Sequence, residues 1–535
     1  MKPLETSARI PLLGAGAAFT IAAAYALTTN HVWEDYLITF RHSRNLVEGY
    51  GLVYQAGERV HGFTSPINVL LPALFYWLFG QVSYFPALWA YRFVSALAFG
   101  GAVWWLLRWT LKYDRTPAAA ILCGLYLVLD FKTVSFSMNG QETAFLLLFL
   151  VLAFTAAADG LDSNWRQAGV AWAGLMWTRP DGCVYIAALA LLGCLFAKQK
   201  RGELTGTVKA ASVCTVLYLP WFTWAWIYYG SPVPFPAMVK SSMFPGTLRL
   251  TGYVSGVFAN FPTALLWTYA PPYWHLGGWP GWVELFSYVA GGFALLYAVL
   301  PGGDRVGRMA SLAFSLSLLY MAYIGYTSYI FPWYLPPAAF FGIVVLSRAP
   351  ALASRWAPAG AAKAALGFNI VLLAAMASLF VAGTIEMRIQ QDVVEFGNRA
   401  RIGDWLKERA APGETVFLEP IGYVGYYSEA KILDFPGIVT PEVAAISRTL
   451  GMTGSIERLR PDWLVLRPSE EDALKQNRSV YEDYELIEVF DVTRELKDLN
   501  YLPGEGYVMN AAKFLIFRRK ASPRSALLHG RGSFG

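Results

Sequence analysis

Charge is scarce in this chain: 15% of its 535 residues are charged, while 56% are hydrophobic and 16% aromatic. No soluble domain of that length has this balance, so the class is a polytopic membrane protein. Cysteine is scarcer still. Cys123, Cys183, Cys194 and Cys214 all fall inside apolar runs without metal-ligand spacing, which argues against a zinc-thiolate site and against structural disulfides. The chain has no Gly-rich phosphate loop and no internal repeat, so the two related halves expected of many transporters are missing. No nucleic-acid partner is expected.

What the chain does have is apolar sequence in membrane-length runs. The stretch Lys-Gln-Lys-Arg-Gly-Glu at 198–203 marks a cytoplasmic loop, because short cationic loops stay inside. Counting crossings in both directions from that loop predicts a polytopic α-helical fold of about eleven spans. These are residues 10–29, 87–107, 117–137, 143–158, 166–178, 182–197, 207–228, 282–300, 309–329, 335–347 and 364–384. The first is read as a retained helix. Residues 67–80 are too short to join them, contain Pro72, and must not cross if the count is to keep its parity. A long outer segment rich in Trp, Tyr and Pro follows residue 228. Residues 1–385 thus form the transmembrane domain. From Glu386 charges become dense, and short β-type runs (Glu414–Glu419, Trp463–Arg467, Lys513–Arg518) alternate with helix-like segments such as Val393–Arg409. This predicts a soluble α/β domain over 386–520, on the outer side, followed by a disordered tail at 521–535.

One charged stretch stands out, residues 33–66, just beyond the first span. Glu34 and Asp35 are adjacent, with Arg41 and His42 seven residues after them. If the segment is helical, each acid shares a face with a basic partner. Acids beside cations at a membrane surface suit a site that accepts protons and holds an anion. A solvated loop anchoring the first helix has the same composition, and the residues alone leave both readings open.

A set of motifs in fixed order adds to this. Glu34-Asp-Tyr-Leu-Ile-Thr-Phe-Arg leads to Gly57-Glu-Arg-Val-His-Gly-Phe-Thr-Ser-Pro. Asn139-Gly-Gln-Glu, Thr178-Arg-Pro-Asp-Gly, Tyr229-Gly-Ser-Pro-Val-Pro and Pro332-Trp-Tyr-Leu-Pro come next, and Ile421-Gly-Tyr-Val-Gly-Tyr-Tyr-Ser and Asp434-Phe-Pro-Gly-Ile close the series. The set resembles the GT-C superfamily of polyprenyl-phosphate-sugar-dependent glycosyltransferases over roughly residues 10–520. Within that superfamily it looks most like the arabinofuranosyltransferases of actinobacterial cell-wall arabinogalactan, especially the terminal β-(1→2) enzyme. Two positions depart from the family habit: Glu34 stands where an aspartate is usual, and Phe235-Pro236 replace the Asn-Thr after the Pro-x-Pro turn.

The resemblance implies a lipid-monophosphate sugar donor, a cell-wall polysaccharide acceptor and an active site on the extracytoplasmic face of the plasma membrane. Such a donor needs a base for the acceptor hydroxyl and cations for the phosphate. Asp35, with Glu34, is the expected base. Arg41, Arg179 and Lys240 are the expected phosphate cations, with His42 and His61 nearby. Glu142 and Asp181 are candidates for sugar hydroxyls or a divalent ion, and Trp333 and Tyr334 for a stacking platform. Tyr423, Tyr426 and Tyr427 are expected to bind acceptor sugar faces. The competing roles are a helix cap for Glu142, mutual pairing for Arg179 and Asp181, and membrane anchoring for Lys240. A lipid-linked-sugar flippase is the alternative from another class; it would place charges deep inside several helices, whereas most acids here fall at loop ends.

Overall fold

The computed structural model describes residues 3–113, 117–240, 250–356 and 360–520; the expected tail lies outside them. Six helices are long and apolar enough to cross a membrane: Arg9–Thr29, Tyr84–Tyr113, Lys200–Tyr229, Arg305–Thr327, Pro336–Arg355 and Ala361–Arg409. The pair Ala118–Leu129 and Phe131–Met138, bent by 55°, makes a seventh if it is one span. By length and composition the expected eleven are not established. Thr143–Asp159, Gly182–Phe196 and Trp282–Leu296 have 15 to 17 residues, which reach about 22–26 Å against a hydrocarbon core of about 30 Å. The long segment after residue 228 also holds a helix that periodicity did not reveal. Leu250–Tyr269 packs against Arg305–Thr327 and Trp282–Leu296.

Small side chains let the bundle close. Ala18, Ala22 and Ala26 recur every fourth residue, are all buried, and lie on the first helix, which packs along Tyr84–Tyr113. A stripe of that kind brings helix backbones together where no hydrophobic force distinguishes protein from lipid. Ile67–Leu78 is a helix of 12 residues, about 18 Å long, too short to span. It lies beside helix Glu34–Val47, with Ser43 donating to the Val69 carbonyl at 2.7 Å. Leu74, Trp77 and Leu78 on it are exposed.

The C-terminal domain is a five-stranded sheet in the order β2-β1-β3-β5-β4. β1 (Thr415–Leu418) pairs in parallel with β2 (Lys431–Asp434) and β3 (Trp463–Leu466); β5 (Lys513–Arg519) runs antiparallel to β3 and to β4 (Tyr484–Asp491). The composition change at Glu386 is not a break in the backbone. Ala361–Arg409 is one continuous helix of 49 residues, which widens to π-helical spacing over Gln390–Ala400. The chain changes character where the helix leaves the apolar bundle, not where the helix ends.

Candidate active site

The charged stretch after the first span is helical over Glu34–Val47, with both acids in its first turn, where the helix dipole favours negative charge. Every residue from Tyr36 to Ser43 is buried, because the helix lies between the bundle and the sheet domain. Its solvated-loop reading fails on that burial.

The pairing expected within this helix does not form. Two turns separate each acid from its supposed partner by about 10 Å along the axis. Arg41 instead turns to the sheet domain, donating to the Gly425 carbonyl at 2.7 Å and the Ala430 carbonyl at 3.1 Å, and stacks on Tyr54. His42 bonds the Ile38 carbonyl within its own helix. His61 stacks on Tyr229 with centroids 4.6 Å apart. None of the three lines a cavity at the acids; Arg41 ties the helix to the sheet domain, and the two histidines make local contacts within the bundle.

Glu34 has a different partner. Its carboxylate meets Arg399 Nη1 at 2.5 Å and accepts the Gly422 N–H at 2.6 Å. Arg399 also holds Glu395, at 2.9 Å, and Glu395 accepts from Gln390 at 2.7 Å. The approach of Gly422 is what its motif position is for: a Cβ there would sit 2.2 Å from the Glu34 carbonyl oxygen.

The Asp35 carboxylate accepts no hydrogen bond and joins no ion pair among the described residues. It lies on the wall shared by two cavities. The smaller, of about 230 Å³, is lined by Asp35, Gln141, Glu142, Arg179, Asp181, Lys240, Trp333 and Tyr334 with apolar residues of Arg305–Thr327. The larger, of about 370 Å³, adds Glu34, Arg399, Glu419 and Arg467 with Trp33, Tyr273 and Tyr507. Seven of the residues singled out from the motifs therefore converge on the smaller cavity, from five separate segments. Removal from water pushes the Asp35 carboxyl up to about 6; Lys240 and Arg179 draw it down, while Glu34 and Glu419 push it up.

Arg179 reconciles the two readings offered for it. It pairs with Asp181, Nε to Oδ1 at 2.9 Å, approaches Glu142 at 3.5 Å and lies over the Tyr334 ring at 4.2 Å. It is thus both paired and part of the cavity wall. Glu142 makes no side-chain cap bond to the helix it precedes; burial raises its carboxyl to about 6 against the pull of Arg179. With both acids on Arg179, their fit to a divalent ion is poor, and the described residues contain no cluster of three or more metal-binding side chains. Lys240 Nζ lies over the Phe331 and Trp333 rings, at 4.3 and 5.5 Å.

The tyrosines expected to bind acceptor do not reach either cavity. Tyr423 is fully buried and donates to the Val32 carbonyl at 3.0 Å. Tyr426 and Tyr427 pack on Tyr84, Phe40 and one another. They fasten the sheet domain to the bundle. The aromatic residues of the larger cavity are Trp33, Tyr273, Phe331, Trp333, Phe435 and Tyr507.

ArnT from Cupriavidus metallidurans, bound to undecaprenyl phosphate, matches 96% of this chain and 98% of its own at a TM-score of 0.52 and 15% identity. The oligosaccharyltransferase AglB from Archaeoglobus fulgidus, in complex with an inhibitory peptide and a dolichol-phosphate, matches 86% of this chain and 69% of its own at 0.52 and 12%. This chain shares their fold. Mycobacterial arabinofuranosyltransferase AftD is a weaker match, with a TM-score of 0.43 over 40% of that chain. A family model described as a domain of unknown function (DUF8728) matches residues 386–510. No curated protein matches in sequence.

Proposed function

We propose that the protein is an integral-membrane inverting glycosyltransferase. It moves a sugar from a polyprenyl-monophosphate donor to a cell-wall glycan hydroxyl on the extracytoplasmic side of the plasma membrane. The observation that carries this reading is Asp35, an acid without a partner among the described residues, set where two cavities meet. The lipid phosphates of the ArnT and AglB structures support a donor of that class.

In the reaction the acceptor oxygen bonds to the anomeric carbon and its proton passes to Asp35. The bond from that carbon to the phosphate oxygen breaks, and its electron pair leaves on the lipid phosphate. Lys240 and Arg179 offset the charge developing there. Tyr320, Ile324 and Phe331 in the smaller cavity provide an apolar wall for the first isoprene units. The sugar is arabinofuranose on the strength of the motifs alone; mannose and aminoarabinose are the alternatives within the superfamily.

Purified protein given polyprenyl-phosphate arabinofuranose, mannose and aminoarabinose, each with a glycan acceptor, should consume the first. Turnover of another sugar would replace arabinose, and turnover of none by protein that binds polyprenyl phosphate would defeat the enzyme reading. Lys240→Gln should weaken polyprenyl-phosphate binding by about tenfold, the loss expected for one charge-assisted bond. Because Lys240 holds the Asp35 carboxyl down, the same substitution should move the acid limb of the pH–rate profile upward. An unchanged limb and affinity would remove Lys240 from the site.

A further inference from the structure

The larger cavity is bounded by three acids and three cations: Glu34, Asp35 and Glu419, with Lys240, Arg399 and Arg467. Two of the cations are already engaged. Arg399 holds Glu34 at 2.5 Å, and Arg467 holds Glu419 at 2.7 Å and Glu470 at 3.1 Å. Lys240 lies on the wall common to both cavities. An acidic ligand would therefore find no arginine in this wall without an acid already on it. Paired charges, by contrast, still offer lone pairs and N–H groups to hydroxyls, and Glu419 is 44% exposed.

Three rings complete this wall. Tyr273 and Tyr507 stack at 4.4 Å with planes 13° apart, and Trp33 lies parallel to Tyr273 within 5° and to Tyr507 within 14°. They come from three distant segments, and Tyr507 comes from the sheet domain. Its helix, Glu505–Asn510, is seated on the Trp274–Leu276 turn of the bundle by close backbone contact. A Cβ on Gly506 would lie 1.7 Å from the Leu276 carbonyl oxygen, so only glycine allows Tyr507 to reach Tyr273. Near-parallel rings beside paired charges match the two surfaces of a sugar, its C–H faces and its equatorial hydroxyls.

We infer that the larger cavity is the acceptor subsite and takes an uncharged glycan, held on Trp33, Tyr273 and Tyr507 and by the Glu419–Arg467 pair. The inference rests on the proposed function for the direction of transfer, but binding tests it separately. Full-length protein in nanodiscs is titrated, following its tryptophan fluorescence, with a neutral arabino-oligosaccharide, a neutral galacto-oligosaccharide, a uronate-rich oligosaccharide and an acidic peptide. Polyprenyl phosphate is titrated in parallel. A neutral oligosaccharide should bind, and Tyr507→Leu should weaken it by about tenfold, the scale of one lost stacking contact. Glu419→Gln, at an exposed side chain that folding tolerates, should weaken it by several-fold. Polyprenyl phosphate affinity should stay as it is in both variants. Preference for the uronate or the peptide, binding that neither variant alters, or no binding of either neutral glycan overturns the inference. Neutral-glycan binding without polyprenyl phosphate binding leaves it standing and removes the donor reading.

Discussion

Asp35→Asn should bind polyprenyl phosphate normally and lose turnover by about 10²-fold or more, the scale of a missing general base. Glu34→Gln should not do the same. Both acids sit in the first turn of one helix, yet only Glu34 is spoken for, by Arg399 and the Gly422 N–H. Asp35 lies on the wall of both cavities, where a hydroxyl from one side and a donor from the other can meet. With its carboxyl raised to about 6, the basic form is lost as pH falls through that value, so turnover should rise to a plateau above it. The acid limb should vanish in Asp35→Asn. If instead Glu34→Gln abolishes turnover with donor affinity intact and Asp35→Asn does not, the base is Glu34. If both variants turn over normally, the mechanism is wrong.

Arg399→Ala should be the most destabilising single change at the site. The side chains of Arg399 and Glu395 are 9% and 3% exposed, and Glu34 is 17% exposed. Removing the cation leaves two acids facing each other out of water. Breaking a buried ion pair on one side costs about 3–5 kcal/mol, a large part of what holds a domain folded. The apparent melting temperature in nanodiscs should fall by several degrees, and trypsin should cleave the sheet domain sooner. Adding Glu395→Gln should recover part of the loss, since one stranded charge is then gone; a double-mutant cycle measures that coupling. An Arg399→Ala protein that melts with the parent would show that the cluster bears no weight.

Some of this was legible from residues and some was not, for identifiable reasons. β1, β3 and β5 read as strands because each is a short apolar run buried in the sheet. β4 escaped notice as an edge strand whose Leu486, Ile487 and Val489 are all exposed, which erases the alternation that marks a half-buried strand. Among site residues, Glu142, Arg179, Asp181, Lys240, Trp333 and Tyr334 each belong to or border a short motif, and folding brings the motifs together. Arg41 and His42 misled because helical spacing tells which residues share a face but not what that face meets; here it meets the sheet domain. Arg399 could not be anticipated, since its partner Glu34 is 365 positions away and no local pattern relates them.

The unbroken helix Ala361–Arg409 has a consequence for anyone who would treat the sheet as an interchangeable module. A cut at Glu386, where composition shifts, would sever a helix in mid-course and carry Arg399 away with the graft. The natural joint is Pro412-Gly413, where the helix has ended and Gly413 turns the chain at φ +90°. A transplant made there would leave the counter-ion of Glu34 in its own bundle. The incoming sheet would then have to supply the Gly422 N–H that meets Glu34, the Gly425 and Ala430 carbonyls that meet Arg41, and the cavity wall of Glu419, Arg467 and Tyr507.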